Sequence, residues 1–205
     1  MPHADSAYVP QGLSKPQFWE HVHSQLAALL EGQRSWVVNL ANTSALIYNA
    51  LLAYEPHFGS GDRAVNWCGF YIQSALFPKP KTFVKETAQT TAPGFRHLLL
   101  GPFCGKPACQ LINIEPGRAK GVCADAFISR QTLLVPDVEA YPGHIACDGE
   151  TKSEVVCPLI VRLSDHETMT VGVLDLDCLV LSGFSEEDKV ALEKIATLVA
   201  NACDW

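Results

Sequence analysis

Two apolar, β-branched runs, 154–163 (EVVCPLIVRL) and 168–177 (TMTVGVLDLD), are separated by only the four residues SDHE. A connection that short joins antiparallel neighbours, because parallel strands need a crossover of a dozen residues or more. The chain therefore contains a long hairpin, and a hairpin with this many apolar residues has to be covered. Helices to cover it are at hand. Ser14-Lys15-Pro16-Gln17 reads as a capping box with Pro in the first turn, and Phe18, Trp19, Val22, Leu26, Leu29 and Leu30 follow at helical spacing until Gly32. A second helical stretch over 39–54 carries Leu40, Ile47, Leu51 and Tyr54 and stops before Pro56. Ser185 caps a last helix over 186–203, with Leu192, Ile195, Leu198 and Val199 on one face.

Between these helices lie further strand signals: 64–72 (AVNWCGFYI), 97–103, 110–114 and 132–135, with a short helix near 121–130 (GVCADAFISR). The order predicts an α+β domain with a mainly antiparallel sheet between helices. With 205 residues, one domain over 14–205 is expected, preceded by a flexible lead-in at 1–13. Residues 73–96, with three prolines among Lys and Thr, read as a long inserted connection without chemistry, and the polar stretch 136–153 reads as a site loop.

Fifteen basic against 22 acidic residues give a formal charge of −7, which disfavours binding to nucleic acid. No apolar run reaches the ~18 residues of a membrane span, and the amino terminus lacks the pattern of a secretory signal. A cytoplasmic protein is expected, in which eight cysteines (68, 104, 109, 123, 147, 157, 178 and 203) are reduced thiols.

Alternate residues of a strand share a face, so Trp67, Gly69 and Tyr71 point the same way, and the missing side chain of Gly69 predicts an apolar slot between two aromatic walls. An ordinary aromatic core is the plainer reading of the same residues. If the hairpin loop is Ser164–Glu167, Leu163 pairs with Thr168 and Glu154 falls opposite Asp177, with Cβ atoms about 4.5–5.5 Å apart. Asp175 shares their face. Three acids so close resist joint ionisation, so one holds a proton near neutrality, as a general acid must. A slip of one residue would instead leave them as separate solvated strand ends.

The cysteines divide by context. Cys68, Cys157, Cys178 and Cys203 sit in apolar runs and read as packing residues. Cys104 and Cys109 flank Gly105 and Pro107 in a loop, Cys123 opens a helix, and Cys147 lies in PGHIACDGE near His144. A helix amino terminus would acidify Cys123. Zinc binding by 104, 109, 123 and 147 is disfavoured because no Cys-x-x-Cys spacing occurs. The aromatic slot, the acids and the loop thiols suit thiol-dependent reduction of a small molecule, with no metal and no cofactor.

The segments NWCGFY (66–71), LLLGPFCGKPAC (98–109), GVC (121–123), VPDVEAYPGHIACDGETKSEVVCPL (135–159) and GVLDLD (172–177) closely resemble the free methionine-R-sulfoxide reductases, which are built on a GAF domain. The resemblance covers about 60–203. It implies that Cys147 attacks the sulfoxide sulfur, that an acid among Glu154 and Asp177 protonates its oxygen, and that Cys109 and Cys123 resolve the resulting sulfenic acid as a disulfide for a thioredoxin-like reductant. It also implies a substrate pocket that includes Trp67, Tyr71, Ile145, Ala146 and Asp175. Cys123 as the attacking thiol stays open as an alternative, since the electrostatic argument favours it. A homodimer is compatible with this reading. A GAF module that senses a ligand or an oxidant without turnover is the competing function.

Overall fold

The computed structural model describes residues 8–55, 57–78, 97–145 and 148–205. Six strands form one antiparallel sheet in the order β3-β2-β1-β6-β5-β4. They are β1 (Val65–Gln73), β2 (His97–Gly105), β3 (Leu111–Asn113), β4 (Leu133–Val135), β5 (Ser153–Arg162) and β6 (Thr168–Cys178). Among the described residues four α-helices accompany them: α1 (Lys15–Leu30), α2 (Trp36–Leu52), α3 (Val122–Ser129) and α4 (Glu186–Ala202). The α+β reading holds. α2 starts three residues earlier than its apolar spacing suggests, with Ser35 at its N-cap.

The sheet has two unlike faces. On one, Cys68, Phe70 and Ile72 of β1, Leu174 and Leu176 of β6 and Val155, Cys157 and Leu159 of β5 form the main core with the helices. α2 and α4 pack directly on that face, while α1 lies mainly on those two helices and not on the sheet. Fully buried Asp188 fastens the two helical layers together. It accepts from Lys15 Nζ at 2.7 Å and Trp19 Nε1 at 2.8 Å, and closes the α4 cap by accepting from Ser185 N at 2.7 Å. On the other face, Trp67, Tyr71, Val156 and Val173 form a smaller core with α3. This second face carries the site.

Residues 8–13 do not behave as the free lead-in expected from sequence. Tyr8 O lies 2.8 Å from His21 Nε2, Leu13 O accepts from Tyr54 Oη at 2.8 Å, and Val9 and Leu13 pack against the main core. Residues 1–7 and residues 79–96 of the expected insertion lie outside the described residues. The part of that insertion that is described continues β1 into a short 3-10 turn, Ser74–Leu76.

Glu154 stands opposite Asp177, as the spacing predicts, but not by the predicted route. At the tip Arg162, not Leu163, pairs with Thr168, which is a slip of one residue. A bulge between the Leu159–Gly172 and Ile160–Thr170 pairs then takes up one extra residue, Val171, and restores the register at the far end. A regular ladder continued from the actual tip would have sent Asp175 and Asp177 into the helix-covered core. Gly172 sits at this bulge because a Cβ there would stand 2.4 Å from Tyr71 O.

Candidate active site

Cross-strand partners share a face, so the register arranges the site in two rows. One runs Val135–Glu154–Asp177–Trp67–Gly105, the other Leu133–Val156–Asp175–Gly69–Phe103. The three acids thus stand beside Trp67 and Gly69 at one end of the sheet. α3 lies over them, and its second residue, Cys123, hydrogen-bonds downward: Sγ lies 3.3 Å from Asp175 Oδ2 and 3.8 Å from Glu154 Oε1.

A cavity of about 230 Å³ opens over this floor. Of the residues named from sequence, Trp67, Tyr71, Cys109, Cys123, Ile145, Glu154, Asp175 and Asp177 line it together. Ala146 and Cys147 lie outside the described residues. Their neighbours in the chain, Ile145 and Asp148, both line the cavity.

The predicted slot at Gly69 is not open. The Trp67 indole folds over the glycine, and a Cβ at 69 would meet Phe103 Cβ at 2.3 Å and the indole at 2.6 Å. Trp67 is stacked between Phe103, at 5.4 Å between centroids, and Tyr71, at 5.8 Å. Gly69 is therefore the seat of the aromatic wall, and the apolar space lies beyond the indole, towards α3.

Electrostatics on this floor follow from burial. Glu154, Asp175 and Asp177 are at most 9% exposed. Loss of solvation, and then the Asp175 charge, push Glu154 and Asp177 well above the usual carboxylate range. Burial raises Asp175 itself to about 7. The cluster therefore keeps protons at neutrality. The same surroundings overturn the expectation that a helix amino terminus acidifies Cys123: burial, followed by the charges of Asp175 and Glu154, raises its thiol well above the ordinary value. A helix end contributes a fraction of a charge, and it is outweighed by desolvation and two carboxylates in contact.

Several groups were not singled out from sequence. Asn66 donates to Asp148 Oδ2 at 3.2 Å and to Thr151 Oγ1 at 3.0 Å, anchoring the returning end of the site loop. A hydrogen bond from the Glu150 N–H, burial notwithstanding, and further contacts from Asn66 and Lys106 hold Asp148 below the usual carboxylate range. An ionised Asp148 and a cluster in which Glu154 and Asp177 hold their protons while Asp175 titrates at about 7 thus line one cavity. Tyr141 Oη donates to Asp125 Oδ2 at 2.8 Å, tying the loop to α3, and burial with that bond pushes the phenol up to about 12. His144, by contrast, is named from sequence beside Cys147, and its Nε2 lies 3.7 Å from Glu154 Oε2. Burial lowers the His144 pKa, so this is a contact between neutral groups and not an ion pair. No periodicity announces these pairs, which join residues far apart in the chain.

Two buried polar atoms facing this region, Trp67 Nε1 and Asp175 Oδ1, have no hydrogen-bond partner among the described residues. Unmet groups of this kind in a cavity wall mark where a ligand's polar atoms belong.

Residues 25–203 match the GAF domain family. The chain is 40% identical to the free methionine-R-sulfoxide reductase of Saccharomyces cerevisiae, with 98% of this chain and 94% of that protein covered. Its identity to the enzyme of the same name from Escherichia coli is 34%, covering 89% and 87%. The X-ray structure of free methionine-R-sulfoxide reductase from Neisseria meningitidis in complex with its substrate superposes with a TM-score of 0.69 at 29% identity, covering 94% of this chain and 92% of that one. Together with the two rows of site residues on the GAF sheet, these likenesses place the chain in the free methionine-R-sulfoxide reductase family of GAF-domain proteins.

Proposed function

We propose that the protein reduces free methionine-R-sulfoxide to methionine. The observation that carries the reading is the floor of three buried carboxyl groups, two of them proton-holding, in an apolar cavity that two described cysteines also line. Sulfoxide reduction needs both parts: a sulfur nucleophile, and an acid able to protonate the departing oxygen.

Cys147 attacks the sulfoxide sulfur as a thiolate. Glu154 or Asp177 delivers a proton to the oxygen, which passes from the substrate sulfur to the Cys147 sulfur as the bond between the two sulfurs breaks; methionine leaves with both electrons of the reduction, and Cys147 is left as a sulfenic acid. The assignment is supported by the cavity-lining positions of Ile145 and Asp148, which flank Ala146-Cys147 in the chain, and by the raised pKa of Cys123, which leaves little thiolate there for a first attack. Cys109 then displaces water from the sulfenic acid to form a disulfide, with Cys123 as substitute or relay. A thioredoxin-like dithiol returns the pair to thiols. Trp67 and Tyr71 receive the methyl end of the substrate, and the unmet Asp175 Oδ1 receives its ammonium group. The likeness to the yeast and Escherichia coli proteins supports the same substrate.

The test is a single turnover of pre-reduced protein with free methionine-R-sulfoxide. Wild-type protein and Cys109→Ser should release one equivalent of methionine, whereas Cys147→Ser should release none. Retention of the burst in Cys147→Ser with its loss in Cys123→Ser would reverse the two roles. Absence of any methionine from the wild type would leave a ligand-sensing GAF module as the reading. Equal turnover of a sulfoxide within a peptide would refute the specificity for the free amino acid.

A further inference from the structure

Cys68 and Cys104 stand directly opposite one another on β1 and β2, the only cysteines so paired among the described residues. Opposed Cα atoms of an antiparallel ladder lie about 4.5–5.5 Å apart, within the ~4.4–6.8 Å that a disulfide spans. Both side chains therefore point to one face, and it is the face away from the cavity: Cys68 belongs to the main core with Phe70 and Ile72. Tyr48 of α2 lies close enough to feel both thiols, and burial followed by their charges raises its phenol. Both are free thiols in this structure. Their exposure differs in a useful way, since Cys68 is fully buried and Cys104 is partly exposed.

The geometry points to Cys68 and Cys104 as a second redox couple, a modification site that closes to a cross-strand disulfide when a peroxide oxidises Cys104. The electrons balance in two steps. The Cys104 sulfur attacks one peroxide oxygen, the O–O bond breaks, and a sulfenic acid and one water result. The Cys68 sulfur then displaces the hydroxyl from Cys104, an S–S bond forms, and a second water leaves. Two thiols are oxidised and one peroxide is reduced to two waters. Cys68 cannot meet the oxidant itself, but its partner presents the sulfenic acid to it from the facing position of the ladder. Burial raises both thiols, so the couple reacts slowly and stays reduced until the oxidant persists.

The placement of Cys104 gives the bond a consequence. It immediately precedes Gly105, which pairs with Trp67, and Lys106, which bonds Glu150 and lies 3.5 Å from Asp148. A Cys68–Cys104 link therefore pins the root of the connection that carries Cys109 into the cavity. This inference rests on the register of β1 and β2 and stands independently of the substrate assigned to the cavity.

The experiment is peptide mapping under non-reducing conditions after graded hydrogen peroxide, with free thiols alkylated in denaturant. Folded wild-type protein should yield a joined pair of peptides containing Cys68 and Cys104, two hydrogens lighter than their sum and separated again by dithiothreitol. The triple variant Cys109→Ser/Cys123→Ser/Cys147→Ser should give the same link, and Cys104→Ser should leave Cys68 fully alkylated. A joined Cys104–Cys109 pair would overturn the proposal, because it is the product of proximity along the chain and not of the ladder. So would Cys104 converted to sulfinic acid beside an alkylated Cys68, or a link that disappears in the triple variant.

Discussion

Replacing Asp175 by Asn removes one charge from the acid floor while keeping the shape of the side chain, so it isolates the electrostatic cost of the site. The carboxyl is 6% exposed and burial raises its pKa from 3.8 to about 7. A folded-state pKa above the unfolded one means that the native protein binds this proton more tightly. The stability associated with it is complete below pH about 4 and is lost as pH rises through about 7. At 1.36 kcal/mol per pKa unit, ionising Asp175 costs the native state about 0.6 kcal/mol at pH 4 and about 4 kcal/mol at pH 8. Asn carries no such cost. Its amide can donate towards Glu154, and its oxygen can accept from Cys123 in place of Asp175 Oδ2. Imperfect geometry will consume part of the gain, so Asp175→Asn should match the wild type at pH 4 and be more stable at pH 8 by about 2–4 kcal/mol, roughly 5–15 °C in Tm for a chain of this size. Urea unfolding of both proteins at the two pH values measures this directly. A stability difference that does not change between pH 4 and pH 8 would refute the argument, because it would mean that Asp175 carries no cost of ionisation.

Glu154→Gln and Asp177→Asn should each slow methionine release in a single turnover by about 10²–10⁴-fold, the usual worth of a general acid; a wild-type rate in both would remove the acids from the chemistry. Gly69→Ala should destabilise the protein by about 1–3 kcal/mol in urea unfolding, because the new Cβ has to displace Trp67 or Phe103, and it should raise KM more than it lowers kcat. Asp188→Ala should cost about 3–5 kcal/mol, since it strands the 11% exposed Lys15 ammonium and the buried Trp19 N–H; thermal unfolding reads this, and an unchanged Tm would deny Asp188 its role between α1 and α4.

Local signals account for the parts of the fold that were legible. The capping box at Ser14, the cap at Ser185, the 3.6-residue apolar spacing and the short SDHE connection are properties of neighbouring residues, and each element they imply is present. The pairing of Glu154 with Asp177 was legible for a less secure reason. The predicted tip was off by one residue, and the Val171 bulge compensated for it. A bulge depends on how β6 meets both of its neighbours, including the close approach of Tyr71 O to Gly172, and a two-strand argument does not contain that.

The chemical character of the site divides along the same line. Strand alternation alone tells that Trp67 and Tyr71 share a face of β1 and that Asp175 and Asp177 share a face of β6, while the Val171 bulge is what turns those acids to the side of Glu154. What their proximity does follows from the packing around them. That packing laid Trp67 over Gly69 and closed the slot expected there, and it placed α3 so that Cys123 points into the acids and becomes a weaker acid than the helix end alone would make it. It also joined Asn66 to Asp148 and Tyr141 to Asp125 across the site loop. The physical reason is that periodicity encodes direction, which is local, whereas a pKa is set by the loss of solvent and by every charge within a few ångströms, whichever part of the chain supplies them.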